Sequence, residues 1–267
     1  MDVRSQIQVD SMDDALTNRL WNLVSLEFFG RIDPYGNDRE QYCSLIWAEF
    51  FNKVLDNISQ YRDGTFYYDG FVSSTRTWFL TAEWFQKYDF IEFLCSIDQI
   101  GYSFSDHVNN ALEHEMSGYR IIDGSVAQIT SKEEISAIED AIDDSDRWRP
   151  VSNHLRTALI HLSSRENPDY RNSIKESISA VEALCCIITE NKEATLGQAL
   201  KEIEKSHRLH AALKKSFSHL CGYASNADGI RHALLEDSIE LRFEDAKFML
   251  VSCSTFVNYL KSKITMK

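Results

Sequence analysis

The sequence predicts a mainly α-helical protein of two domains, with one small β-hairpin in the first domain. Three observations support this fold class. Apolar side chains recur at helical spacing through most of the 267 residues. Only 3 prolines and 10 glycines occur, which leaves little chain for long linkers. Net charge and tryptophan content both change near residue 150, which predicts a boundary between residues 1–150 and residues 151–267.

In the first domain, helical segments are expected before the hairpin. Segments 13–29, 39–57 and 74–97 each place apolar side chains at steps of three and four, as an amphipathic helix does. A further helix, 105–116, is expected to begin at the capping pair Ser105-Asp106 and to end before Gly118.

The stretch from 118 to 130 breaks the helical pattern. It consists of two extended runs around Asp123-Gly124, a strong signal for a two-residue hairpin turn. A helix is expected directly after it, because Thr130 and Glu133 have the spacing of a capping box.

The second domain has the pattern of a helical bundle. One helix is expected to begin at Asn167-Pro168, because proline is tolerated in the first turn of a helix. The interval from 221 to 242 has the most loop-like composition. The predicted helices cover residues 152–164, 168–190, 195–206, 208–222 and 243–263.

The charge is distributed unevenly along the chain. Residues 1–150 hold 12 Lys and Arg against 27 Asp and Glu, a balance of −15, whereas residues 151–267 have a balance of +2. The total of −13 argues against a basic coat for nucleic acid, and the second domain is the better candidate for contact with a polyanion. No apolar run approaches the roughly 20 residues that span a bilayer, and the N-terminus is polar. We therefore expect a cytoplasmic protein without membrane contact.

Cysteines and common motifs give no sign of a metal or a cofactor. None of the six cysteines forms a C-x-x-C pair, and all six are interpreted as reduced and structural. His207 and His210 lie three residues apart, but no carboxylate accompanies them at a persuasive spacing. Phosphate-cradling, dinucleotide, zinc-protease and serine-hydrolase motifs do not occur.

The run from Asp228 to His232 is the first candidate for chemistry. Arg231 is suited to stabilise a pentavalent phosphorane, and His232 is suited to move protons near neutral pH. RNA cleavage through the 2′-hydroxyl needs these two capabilities and no metal. Asp228 either orients the imidazole or caps the following helix. The alternative is a capped loop whose arginine forms a structural ion pair.

Two carboxylates on helix 168–190 are further candidates. Glu176 and Glu182 interrupt or flank the apolar stripe of this helix. A carboxylate near a bundle core usually needs a partner, and Arg231 is a suitable one. Such a pair can orient a catalytic group or serve the architecture alone.

Several stretches of the chain resemble a known family. DYRNSIKESISAVEAL (169–184), TLGQAL (195–200) and KKSFSHLCGYASNADGIRHALLED (214–237) resemble the C-terminal domain of AbiJ-type abortive-infection proteins. WFQKYDFIEFL (84–94) and GYRIIDGSVAQITSKEEISAIEDAI (118–142) resemble one of the AbiJ N-terminal domain types. The resemblance covers nearly the whole chain.

The resemblance has implications for fold, activity and partners. The C-terminal domain is similar to the HEPN superfamily, which implies an all-α bundle that dimerises. Many HEPN proteins are metal-independent endoribonucleases in toxin or anti-phage systems, and their usual signature is an arginine, four to six intervening residues and then a histidine. In this chain the histidine directly follows the arginine, as Arg231-His232, so both reach one phosphate only from a loop or a helix start.

Three hypotheses of function follow. The leading one is a dimeric, AbiJ-like and HEPN-like defence protein that cleaves RNA, with His232 as base or acid, Arg231 on the phosphorane, and Asp228 with Glu176 or Glu182 orienting them. The second is a non-catalytic module that binds RNA, a nucleotide or a protein. The third makes the acidic, aromatic first domain a sensor for a phage-derived trigger or a protein regulator.

Overall fold

The computed structural model describes residues 7–32, 38–58, 60, 66–97, 102–142, 145–205, 210–226 and 241–265. Helices dominate these residues, and the one small sheet among them is an antiparallel pair of short strands. The mainly α-helical fold class is confirmed. The chain divides into two compact units, Met1–Gln128 and Ile129–Lys267.

In the first unit, two helices continue into π-helical turns. Gly30 N donates to Ser25 O at 2.9 Å, and Phe51 N donates to Ile46 O at 3.0 Å, each five residues back. The apolar spacing that predicted helices over 13–29 and 39–57 does not separate α turns from π turns. The expected helix over 39–57 is too long, because the helical run ends at Phe50 and Val54 has extended backbone. The observed elements are α1 (Asp14–Leu23), a π turn (Val24–Phe29), α2 (Asp38–Leu45), a second π turn (Ile46–Phe50) and a 3₁₀ turn (Leu55–Asn57).

The prediction of one continuous helix over 74–97 is wrong. The structure has α3 (Tyr68–Thr81) and α4 (Trp84–Ser96), with extended backbone at Ala82 and Glu83 between them. Glu83 and Gln86 form a capping box, in which Glu83 N donates to Gln86 Oε1 at 3.0 Å. This cap satisfies amide groups that a continuous helix would bond internally, and it starts a new helix.

The predicted hairpin is confirmed. After α5 (Tyr102–His114), strands β1 (Arg120–Ile122) and β2 (Ser125–Ala127) pair in antiparallel register. Asp123 and Gly124 have φ values of 45° and 81°, the left-handed conformation that a two-residue hairpin of type I′ requires.

The second unit consists of helices, as predicted, with small shifts of their ends. Ser131 rather than Thr130 caps the first helix, because its side chain accepts from Glu134 N. Asp169 rather than Asn167 caps the helix that was expected at Asn167-Pro168. The helices are α6 (Lys132–Ala141), α7 (Arg149–Ser163), α8 (Tyr170–Thr189), α9 (Leu196–Glu204), α10 (Ala211–Asn226) and α11 (Phe243–Thr265).

The structural division after Gln128 differs from the boundary expected near residue 150. Helix α6 lies in the second unit because it packs along α11. Asn258 Nδ2 donates to Ala137 O, and Lys261 Nζ donates to Ala141 O, both at 2.9 Å. The position near residue 150 at which the charge balance changes therefore does not coincide with the boundary between the two compact units, which follows Gln128.

The five cysteines whose side chains are described are free thiols. Three of them, Cys43, Cys185 and Cys253, are buried, as expected of structural cysteines. The side chain of Cys221 lies outside the description. None of the described helices is both long enough and apolar enough to cross a membrane.

Candidate active site

The candidate site lies on the antiparallel pair α7 and α8, which pack closely through small side chains. Ser173 and Ser177 of α8 and Ala158 of α7 are fully buried. Ser173 Oγ donates to Ala158 O, and Ser177 Oγ donates to Ser173 O, both at 2.8 Å. Small residues let the two backbones approach, so side chains at matched positions of the two helices come within hydrogen-bonding distance.

One such matched pair is His154 and Glu176. His154 Nδ1 and Glu176 Oε2 are 2.6 Å apart, and the two side chains are 40% and 18% exposed. The carboxylate fixes the tautomer, because it accepts the proton carried by Nδ1. Nε2 of the neutral ring is then a hydrogen-bond acceptor. A solvent-accessible imidazole held in this way is equipped to act as a general base.

A second histidine of α7 lies two turns further along the helix, beside the start of α8. His161 O accepts from Asp169 N at 3.0 Å. The pKa of Asp169 is lowered mainly by the hydrogen bond from Asn172 N, with smaller contributions from the Asn172 side chain and from the charges of His161 and Arg171. The α7–α8 pair therefore brings a histidine near a carboxyl group at two places along the helices, His154 near Glu176 and His161 near Asp169.

The residues that the sequence predicted are only partly located. Asp228, Arg231 and His232 lie outside the described residues. Glu176 is directed to His154 rather than to a described arginine. Glu182 is exposed, and it lies six residues along α8 from Glu176, so the two carboxylates point to different faces of the helix. The structure therefore does not bring these two carboxylates together.

His154 was not predicted as a site residue. A signal for it does exist in the sequence. Helices 152–164 and 168–190 are joined by a short connection and must be antiparallel neighbours. Residues at similar distances from that connection then lie near one another, and His154 and Glu176 are 10 and 8 residues from the predicted helix ends at 164 and 168.

Histidine–glutamate pairs also occur in the first unit, which provides an internal comparison. His107 Nδ1 lies 2.6 Å from Glu27 Oε2, and Arg31 contacts the same oxygen at 3.4 Å. His114 Nδ1 lies 3.1 Å from Glu115 Oε1, which also accepts from Arg19 at 2.8 Å.

In both of those pairs an arginine shares the carboxylate. For Glu176, His154 is the ion-pair partner within the described part of the chain. Its charge is therefore directed to the imidazole alone, which suits a residue that orients a base. Among the described residues, no group of three or more His, Cys, Asp or Glu side chains is arranged to hold a metal ion.

Comparison with known proteins assigns the first part of the chain to a family. The family model AbiJ N-terminal domain 4 matches residues 1–144, which include the hairpin and α6. No curated protein and no solved structure matches the chain. The match spans more than half of the 267 residues and indicates an abortive-infection context. The chain belongs to the AbiJ N-terminal domain 4 family.

Proposed function

We propose that this protein is a metal-independent endoribonuclease of an abortive-infection system and that its second unit cleaves the RNA. The observation that supports this proposal best is the His154–Glu176 pair, at 2.6 Å, with the imidazole open to solvent. The family match supports the defence context, and the resemblance of residues 169–237 to a HEPN-like domain favours RNA as the substrate.

In the proposed reaction, the 2′-hydroxyl of RNA attacks the adjacent phosphorus. His154 Nε2 accepts the hydroxyl proton as the O2′–P bond forms, and the P–O5′ bond breaks. The O5′ leaving group takes a proton from a protonated histidine, a role we assign to His232. The products are a 2′,3′-cyclic phosphate and a free 5′-hydroxyl, so no metal-bound water is needed.

The remaining residues stabilise or orient the reacting groups. Arg231 is proposed to donate to the phosphorane oxygens, because a planar guanidinium binds two oxygens at once. Glu176 is proposed to orient the His154 ring and to stabilise the imidazolium that forms. Asp228 is proposed to orient His232.

The test compares two histidine variants of the full-length protein. His154→Ala and His107→Ala each remove an imidazole that lies 2.6 Å from a glutamate, with similar exposure of 40% and 46%. We expect His154→Ala to lower the rate of RNA cleavage by about 10²- to 10⁴-fold, as loss of a general base does. We expect His107→Ala to retain the activity. The measurement is fragmentation of total RNA, with analysis of the 3′ ends and with a chelator present.

Two outcomes would contradict the proposal. One is wild-type cleavage by a correctly folded His154→Ala protein. The other is salt-sensitive RNA binding without cleavage by the wild type, including during phage challenge, which would instead identify a non-catalytic binding module. Arg231→Ala and His232→Ala test the remaining assignments in the same assay.

We further propose that the protein forms a homodimer through the second unit and responds to a phage-derived trigger or a protein regulator. A dimer is expected because the C-terminal resemblance is to a bundle that dimerises. Sedimentation of the full-length protein tests the dimer, and recovery of a bound component from infected cells tests the trigger.

A further inference from the structure

An open cleft in the first unit has the character of a ligand site. Its volume is about 460 Å³, and we name it the arginine cleft after Arg39 of α2 and Arg76 of α3. Trp21, Phe29 and Val72 form its apolar floor. The volume lies within the range of about 300–1,000 Å³ that is usual for small-molecule sites.

Among the described residues, Arg39 is held in place by an aromatic ring and forms no ion pair. Its guanidinium carbon lies 4.3 Å from the centre of the Tyr68 ring, and its buried Nε makes no hydrogen bond. Tyr68 is itself fixed, because its hydroxyl donates to Phe29 O at 2.8 Å. The Tyr68 ring therefore holds the Arg39 guanidinium in one orientation. The buried Nε of Arg39 is a hydrogen-bond donor without an acceptor, and a bound ligand can supply that acceptor.

Arg76 adds a second positive charge at the exposed edge of the cleft. It follows Asp69 by seven residues and Ser73 by three on α3, so these three side chains share one face of the helix. Within the part of the chain that the structure describes, the Arg76 guanidinium forms no hydrogen bond or ion pair. Two such arginines are notable in a part of the chain with a balance of −15 over residues 1–150.

The combination points to a small ligand with an anionic end and an aromatic ring. Guanidinium groups that line one cleft suit phosphate oxygens, and the apolar floor suits a flat ring. Asp69 and Ser73 supply partners for hydroxyl groups. A long nucleic acid is a poor fit, because the acidic surroundings repel a polyanion beyond the cleft.

We propose that the arginine cleft binds a nucleoside monophosphate or diphosphate, with the phosphate on Arg39 and Arg76 and the base against the apolar floor. This site lies in the first unit and is independent of the proposed RNA cleavage. It gives the first domain the chemistry of a nucleotide sensor.

The test is isothermal titration of the full-length protein with four ribonucleoside monophosphates and their diphosphates, and with inorganic phosphate and adenosine. We expect at least one nucleotide to bind, and phosphate or adenosine alone to bind more weakly. Arg39→Met and Arg76→Met are each expected to weaken nucleotide binding by about tenfold or more. Lys53→Met is the matched control, because the Lys53 ammonium lies over the Trp47 ring at 4.4 Å but outside the cleft.

Four outcomes would overturn the proposal: no binding of any nucleotide, equally tight binding of phosphate alone, unchanged binding by both arginine variants, or binding weakened equally by Lys53→Met. If Arg39→Met fails to fold, Arg76→Met decides the matter, because Arg76 is exposed and its replacement leaves the core intact. Binding weakened equally by Lys53→Met would reveal an unspecific charge effect.

Discussion

At the scale of single residues, the first unit holds groups that strongly prefer to stay neutral. Burial raises the pKa of the Cys43 thiol to about 12, despite the opposing charge of Arg39. Burial also raises the pKa of Cys95 to about 11 and that of Tyr68 to about 12. These groups resist ionisation because the folded protein offers the charged forms too little water.

The stability of the first unit is therefore expected to fall in alkaline solution. Cys43 loses its proton near its ordinary pKa of 9.0 only when the chain is unfolded, so deprotonation favours the unfolded state as pH rises from 9 toward 12. Ionisation of Cys43 should lower the free energy of unfolding by about 1.4 kcal/mol per pH unit in this window, and that of Cys95 should do the same up to about pH 11. Below pH 9 the contribution of each thiol is fully present.

Urea unfolding followed by tryptophan fluorescence at pH 7, 8, 9 and 10 measures this effect. Cys43→Ala should reduce the alkaline slope, whereas Ile46→Val, which alters the same core without removing a titrating group, should leave it unchanged. An identical slope in the wild type and in Cys43→Ala would show that Cys43 does not contribute.

The candidate site could be predicted from the sequence only in part. Glu176 attracted attention because it interrupts an apolar stripe, a property of one helix alone. The partner of Glu176 depends on the register between two helices, which the buried Ser173 and Ala158 determine. The arginine cleft depends on residues of four elements, and no local spacing in the sequence connects Trp21, Arg39 and Arg76.

At the scale of elements, the contact between α7 and α8 positions the candidate site. Ser173 is fully buried and bonds the backbone of α7, so it sets both the distance and the register of the pair. Replacement of Ser173 should therefore affect stability and the His154–Glu176 geometry together.

We expect a graded response at position 173. Ser173→Ala should lower the free energy of unfolding by about 1 kcal/mol through the lost hydrogen bond. Ser173→Leu should lower it by about 3 kcal/mol, because the larger side chain forces the helices apart, and should also reduce RNA cleavage. Chemical denaturation measures the loss of stability in both variants, and the RNA cleavage assay measures the loss of activity. Lys175→Leu, at an exposed position of the same helix, is the control, and equal costs at both positions would refute close packing.

The type of an element was predicted correctly where a few neighbouring residues determine the backbone conformation. Asp123-Gly124 specifies a hairpin turn, and the structure has that turn. The prediction failed at Ala82 and Glu83, where apolar periodicity continues through a helix break made by a capping box. A cap formed by glutamate and glutamine is a weaker signal than a glycine or a proline, so periodicity concealed it.

At the scale of the whole molecule, family and packing divide the chain at different places. The family match extends to residue 144, whereas the first compact unit ends at Gln128. Helix α6 lies between these limits. It is part of the family domain in sequence and part of the second unit in structure.

A fragment of residues 129–267 should therefore be more stable than a fragment of residues 145–267, which lacks α6 but keeps the whole of α7. Removal of α6 exposes the surface of α11 that covers the buried side chains of Ile138 and Ala141, and it leaves Lys261 without its carbonyl partner. The expected loss is about 3 kcal/mol or more. Urea unfolding followed by circular dichroism compares the two fragments. Equal stability would place the structural boundary near 150 after all.

The two π-helical turns of the first unit have a consequence for how this sequence can change. A π turn holds about one residue more than the α turn that it replaces, so each is in effect a single-residue insertion that the helix has absorbed. Deletion of the exposed Leu26 would convert the π turn into an α turn, because the bond from Gly30 N to Ser25 O would then span four residues. Phe29 would stay in the core, and Gly30 would stay in the lining of the arginine cleft. The domain should therefore accept a deletion at position 26 better than a deletion within α1, where every later residue of the helix would rotate by about 100°.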